Sequence, residues 1–171
     1  MTPLQIFASC LMLSAQTYAV PPQVMVGILH VEGGKVGQEV GPNVNGTYDL
    51  GPMQVNTLWM PQLARFWNVD VKTAHKWVRD NSCVNLHVSA WILRQKLDQA
   101  GGNLFNGIAR YHSGTPQIGH NYANKVIKAM DRQGLIDYSN NGNGSGSASG
   151  YASARDTGNR KGKTIRVADV D

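Results

Sequence analysis

A single glutamate, Glu32, stands where an apolar segment meets a polar, glycine-rich stretch of the chain. Upstream of it, Val24, Ile28 and Val31 recur at spacings of four and three, which predicts an amphipathic helix that ends close to Glu32. The glycine pair that follows stops the helix, because glycine accepts the left-handed conformation at low cost. A carboxyl group beside apolar neighbours can have its pKa raised, which would allow Glu32 to act as a general acid near neutral pH.

The segment 43–56 combines a turn with polar side chains that could hold a polar polymer. Gln54 and Asn56 can each donate and accept hydrogen bonds. Asp49, in the turn, adds a second carboxyl group 17 positions after Glu32 (49 minus 32). The alternative for Asp49 is that its side chain caps its own turn.

The residues named so far, together with further polar positions, lie in four blocks of the chain. They are YAVPPQVMVGILHVEGG (18 to 34), NGTYDLGPMQVN (45 to 56), CVNLHVSAWIL (83 to 93) and ARYHSGTP (109 to 116). Together they resemble the lytic transglycosylases of the lysozyme-like superfamily, in particular the small ones associated with bacterial secretion, conjugation and pilus systems. The resemblance covers residues 7 to about 130, in the family's order and spacing. It implies a lysozyme-like fold and cleavage of the MurNAc-GlcNAc β-1,4 bond of peptidoglycan with a 1,6-anhydro product.

The resemblance also implies a role for individual residues. Glu32 matches the catalytic acid/base, and no metal or cofactor is implied. The residues that match the family's substrate-binding positions are Gln54, Asn56, Asn85, Tyr111 and Ser113. Two departures stand out: Gly33 replaces the family's usual serine, and Tyr-His-Ser-Gly at 111–114 replaces Tyr-Asn-Ala-Gly.

The turn at 45–51 is also similar to that of animal-type lysozymes, in which the second catalytic carboxylate matches Asp49. If the carboxyl groups of Glu32 and Asp49 lie about 5 Å apart, a retaining hydrolysis becomes possible. A third alternative is a glycan-binding assembly factor that has kept the groove without the activity. The sequence leaves these three interpretations open and favours the transglycosylase.

Two cysteines, Cys10 and Cys83, stand at positions where members of the family often carry cysteines. The resemblance therefore implies a disulfide and an oxidising compartment, for which we expect the periplasm. From the count of two alone, buried free thiols would be the simpler interpretation.

Residues 1–19 are apolar and allow two interpretations. A secretory signal cleaved after Ala19 would lack the usual positive region. The family comparison favours a first helix of the domain, with Ile6, Cys10, Leu13 and Thr17 on its inward face. No stretch reaches the roughly 18 to 20 apolar residues that span a bilayer.

The remaining periodicity predicts a mainly α domain over 1–138, with at most a short β-hairpin at 45–52. Further helices are predicted near 58–67, over 71–79, 83–99 and 105–111, and around 122–130, with a loop over 112–119. Residues 139–171 begin with a run rich in Gly, Ser and Asn, and we expect them to form a flexible tail.

The net charge of +5 is shared between the domain and the tail. Five basic against three acidic residues give the tail +2, which leaves +3 and eight carboxylates for the domain. Such a surface suits an anionic polymer such as peptidoglycan. We expect no nucleic-acid partner, because basic residues do not alternate with aromatic ones. The histidines lack metal-ligand spacing. We expect a monomer that acts on peptidoglycan strands beside components of a secretion or pilus machine.

Overall fold

The computed structural model of the chain describes residues 1–136, which are mainly helical, as the sequence predicts. The helices are α1 (Pro3–Thr17), α2 (Pro22–Glu32), α3 (Met60–Trp67), α4 (Val71–Asp80), α5 (Ser82–Gln99), α6 (Leu104–His112) and α7 (Pro116–Arg132). The predicted tail over 139–171 and the domain boundary at 138 lie outside the described residues. None of the helices within 1–136 combines the length and the apolar character needed to cross a bilayer.

A small antiparallel sheet lies between α2 and α3 in the chain. Its strands are β1 (Glu39–Val40), β2 (Asp49–Leu50) and β3 (Val55–Asn56), in the order β1-β2-β3. The sequence predicts at most a hairpin at 45–52, whereas β2 pairs with segments outside that range on both sides. Strands of two residues are too short to show an alternating pattern, so the sequence could not reveal the pairing.

Helix α5 packs against α1, α4 and α6 and forms the centre of the domain. Its Leu86 and Leu93 are fully buried. The helix begins at Ser82, one residue earlier than predicted, because the Asn81 side chain accepts a hydrogen bond from the Val84 N–H at 3.1 Å and caps it.

Helix α1 is tied to α5 by a disulfide between Cys10 and Cys83, with Cα atoms 5.2 Å apart. The pairing implied by the resemblance is therefore confirmed, as is a first helix within residues 1–19. The bond joins positions 73 apart, and chain entropy alone would make such a closure worth about 4 kcal/mol.

The inward face of α1 is not the predicted one. Leu11, Ser14 and Ala15 are buried, whereas Leu13 is 62% exposed and Ile6 45% exposed. Helix α1 contains no charged residue, so its apolar residues do not mark one face and the sequence pattern could not select between them.

Helices α2 and α7 approach each other closely at Gly27. A Cβ atom there would lie 2.6 Å from Met130 Cγ and 3.0 Å from Val126 Cγ1, so a larger residue would push the helices apart. This packing holds the C-terminal end of α2 beside α7. The predicted loop over 112–119 is shorter in the structure, because Pro116 occupies the first turn of α7 rather than the loop.

Candidate active site

Glu32 is the last residue of α2, and its side chain is half-buried. Gly33 ends the helix in the left-handed conformation, with a φ of 60°, and its N–H donates to the Leu29 carbonyl oxygen at 2.9 Å. Burial raises the pKa of Glu32 to about 7; a hydrogen bond from Tyr122 lowers it and the negative charge of Asp49 raises it. The carboxyl group therefore exchanges its proton near neutral pH.

Tyr122 of α7 holds this carboxyl group in place. Its hydroxyl donates to Glu32 Oε1 at 2.6 Å, and the tyrosine is only 5% exposed. Burial raises the pKa of Tyr122, so the hydroxyl remains a donor. The ring of His112 stacks on that of Tyr122, with centroids 4.4 Å apart and planes 5° from parallel.

In the sequence, Tyr122 belongs only to the periodic pattern around 122–130 that predicts the last helix. The available signal was its hydroxyl, because a buried tyrosine hydroxyl usually finds a hydrogen-bond partner. Which partner it finds depends on the packing of α2 against α7, which the periodic pattern of one helix does not specify.

Asp49 of β2 lies in a cradle of side-chain amides. Asn56 Nδ2 donates to its Oδ1 at 2.8 Å, and Asn43 Nδ2 donates to its Oδ2 at 3.0 Å. Both amides also donate to Thr47 Oγ1, at 3.0 and 3.1 Å. The side chain of Asn56 is thus engaged in positioning Asp49, a role the sequence did not suggest, and Asn43 was not identified at all.

Gln54 lies in the turn between β2 and β3 with a positive φ of 48°. Its Nε2 donates to the Gly51 carbonyl oxygen at 2.8 Å, while its Oε1 accepts no hydrogen bond from residues 1–136. A Cβ atom at Gly34 would collide with that same carbonyl oxygen. The turn therefore lies directly against the segment that follows Glu32, which brings Gln54 to the side of the molecule where the Glu32 carboxyl group lies.

The resemblance implies that Asn85 binds substrate, but the structure corrects this expectation. The residue is fully buried and does not reach the surface. Its Nδ2 donates to the carbonyl oxygens of Leu50 at 2.8 Å and Val78 at 3.0 Å. Its Oδ1 accepts from the Met53 N–H at 2.9 Å. Asn85 therefore anchors the β2–β3 turn to α5 and is not placed to contact a substrate.

Tyr111 of α6 lies near the same turn, and its hydroxyl donates to the Met53 carbonyl oxygen at 3.4 Å. Burial raises its pKa, and the negative charge of Glu32 raises it further. Ser113 follows α6, and its Oγ accepts from the Thr115 N–H at 3.1 Å, which shapes the turn into α7. Contact of either side chain with substrate stays a prediction.

The arrangement suits proton transfer through the Glu32 carboxyl group. Within residues 1–136, no cluster of three or more His, Cys, Asp or Glu side chains could hold a metal. Glu32 Oε2 accepts no hydrogen bond from these residues, so a proton on this oxygen can pass to a bound molecule while Tyr122 holds Oε1.

Comparison of the sequence with protein-family models gives no match. Comparison with curated proteins gives no significant match either.

Proposed function

We propose that the protein is a peptidoglycan lytic transglycosylase that cleaves the MurNAc-GlcNAc β-1,4 bond and leaves a 1,6-anhydro end. The observation that carries the proposal is the half-buried Glu32 at the end of α2, whose pKa burial raises to about 7. A general acid works best when its pKa lies near the operating pH. The four blocks that resemble such enzymes supply the substrate class.

The reaction uses Glu32 twice. Its proton passes from Oε2 to the glycosidic oxygen, and the bond from that oxygen to C1 breaks. The substrate's own N-acetyl oxygen stabilises the positive charge at C1. The Glu32 carboxylate then accepts the proton of the C6 hydroxyl as O6 bonds to C1, which returns Glu32 to its protonated form. Between the two transfers Tyr122 stabilises the carboxylate by donating to Oε1.

The sheet and turn supply groups that can hold a sugar chain. Gln54 Oε1 accepts no hydrogen bond from the rest of residues 1–136, so it can accept one from a sugar hydroxyl or amide. Positioning of the C6 hydroxyl within reach of Glu32 is what closure of the ring requires.

The disulfide between Cys10 and Cys83 fits the oxidising periplasm, where such an enzyme would open the wall locally for a secretion, conjugation or pilus apparatus.

A lysozyme-like hydrolase is the second candidate, and the amide cradle of Asp49 favours it. The two hydrogen bonds to its carboxylate fix the group in one orientation, as a nucleophile or an electrostatic stabiliser of C1 would need. The same cradle also fits a purely structural Asp49 that organises the turn between β1 and β2.

Mass spectrometry of a digest of purified peptidoglycan tests the proposal. We expect muropeptides with 1,6-anhydro ends and their absence when Glu32→Gln replaces the wild type. Fragments with free reducing ends would instead support the hydrolase. Release of no fragments by the wild type, together with binding to peptidoglycan, would support the glycan-binding assembly factor.

A further inference from the structure

A groove of about 340 Å³ runs between α2 and α7, next to the candidate active site. Its walls are formed by His30, Val31, Lys125, Ala129, Arg132 and Gln133. The mechanism above uses none of these side chains, and of the six only His30 and Val31 lie in a block that carries the resemblance.

The groove presents basic groups and no carboxylate. Lys125 and Arg132 are exposed, and neither forms an ion pair with a carboxylate of residues 1–136. Arg132 Nε donates to the Lys128 carbonyl oxygen at 3.3 Å, which orients the guanidinium group along α7. Asp131 is the one carboxylate of α7, and it points away, since two positions after Ala129 correspond to about 200° around a helix.

The groove is formed by the same two helices that carry Glu32 and Tyr122. Val31 directly precedes Glu32, and Lys125 follows Tyr122 by three residues, which places the two α7 side chains on the same side of the helix. The positive charge of Lys125 adds to burial in lowering the pKa of His112, whose ring stacks on Tyr122. Among the groove residues of α7, Lys125 therefore lies nearest to Tyr122 and His112.

We propose that this groove binds a short peptide that bears carboxylates and is attached to the glycan strand being cleaved. The length fits: Lys125 and Arg132 are seven residues apart, or about 10 Å along a helix. An extended peptide of three to four residues spans about 10 to 14 Å. A side-chain carboxylate near the attached end of such a peptide and the carboxylate at its free end can meet Lys125 and Arg132 while the sugar chain lies over Glu32. This inference rests on the proposed function, because it takes the glycan to be peptidoglycan.

Binding to two forms of the same substrate tests the inference. The probes are purified peptidoglycan and the same strands stripped of their peptides by an amidase. The Glu32→Gln chain, which does not consume its substrate, is compared with a version that also carries Lys125→Ala and Arg132→Ala. The matched control carries Lys72→Ala and Lys76→Ala instead, two exposed lysines of α4, which packs against α3 and α5.

We expect the groove variant to bind peptide-bearing strands about tenfold more weakly. Binding to stripped strands should not change, and the α4 control should change by under about twofold. The preference of the parent chain for peptide-bearing strands should shrink at about 1 M salt, because exposed charges are screened. Equal weakening on both substrates, or equal weakening in the α4 control, would overturn the peptide site.

The two proposals fail separately. If the wild type releases no fragments but the groove variant loses binding only to peptide-bearing strands, the transglycosylase proposal is wrong and the peptide site stands. If fragments are released and the groove variant matches its parent on both substrates, the peptide site is wrong and the transglycosylase proposal stands.

Discussion

The candidate site has a helical side, formed by Glu32 of α2 and Tyr122 of α7, and a sheet side, formed by Asp49 of β2 with Asn43 and Asn56. The carboxyl groups of the two sides lie in different surroundings. Glu32 is half-buried, receives one hydrogen bond from Tyr122 and has a pKa raised to about 7. Asp49 is held at both oxygens by the amides of Asn43 and Asn56. The helical side therefore carries a carboxyl group that can release and accept a proton near neutral pH, whereas the sheet side holds a carboxyl group in one orientation. Loss of each group should therefore have a different kind of effect.

The largest effect should come from Glu32→Gln. General acid catalysis contributes about 100-fold to 10,000-fold, so turnover on peptidoglycan should fall by that factor while the fold is kept. Glu39→Gln is the matched control, because Glu32 and Glu39 are the two glutamates of the chain and Glu39 lies exposed on β1. Release of soluble muropeptides measures both. Near-normal turnover by Glu32→Gln would remove Glu32 from the mechanism.

The same substitution should change stability in a pH-dependent way. Folding raises the pKa of Glu32 from 4.5 to about 7, so its contribution is fully present below pH 4.5 and lost as the pH rises through 7. Glu32→Gln should therefore gain stability relative to the wild type over this range, by up to about 3 kcal/mol. Urea unfolding at about pH 4 and about pH 8 measures the difference. A difference that is the same at both pH values would contradict the buried, protonated Glu32.

A smaller effect is expected from Tyr122→Phe, which removes the hydrogen bond to Glu32 Oε1. Activity should fall about tenfold, the equivalent of one hydrogen bond to a charged group. Because that bond lowers the pKa of Glu32, its loss should move the alkaline limb of the pH-activity profile upward. Tyr111→Phe is the control, since its hydroxyl donates to the Met53 carbonyl oxygen, and it should leave that limb in place. An unmoved limb in Tyr122→Phe would contradict the positioning role.

The smallest effect should come from Asp49→Asn. A transglycosylase keeps its general acid in this variant, so the loss of activity should stay under about tenfold. The negative charge of Asp49 raises the pKa of Glu32, so its removal should move the alkaline limb downward, opposite to Tyr122→Phe. Kinetic profiles of the two variants measured side by side test this. An Asp49→Asn chain as inactive as Glu32→Gln would show that the sheet side takes part in the chemistry.

The helical side of the molecule could be predicted from the sequence to a large extent. The end of α2 at Glu32 and the cap at Gly33 follow from local preferences, and so does the start of α4 at Val71, where the Asp70 side chain accepts from the Thr73 N–H. These features depend on neighbours within one turn of helix, which the sequence displays directly.

The sheet side could be predicted much less well. The sequence shows three asparagines that it does not distinguish, at positions 43, 56 and 85. In the structure Asn85 is buried against backbone groups, while Asn43 and Asn56 hold Asp49. Their roles depend on partners up to 35 positions away and on strands of two residues. The role of Tyr122 and the inward face of α1 could not be predicted for a similar reason, because both depend on which helices pack against each other.

The most direct test of the helical side is the titration of Glu32 itself. In a chain labelled with ¹³C at the glutamate carboxyl carbon, two resonances are expected, one from Glu32 and one from Glu39, and Glu39→Gln assigns them. We predict that the carboxyl resonance of Glu32 titrates with a midpoint of about 7. A midpoint near 4.5, the ordinary value for a glutamate, would show that Glu32 is ionised at neutral pH and would contradict its role as the general acid.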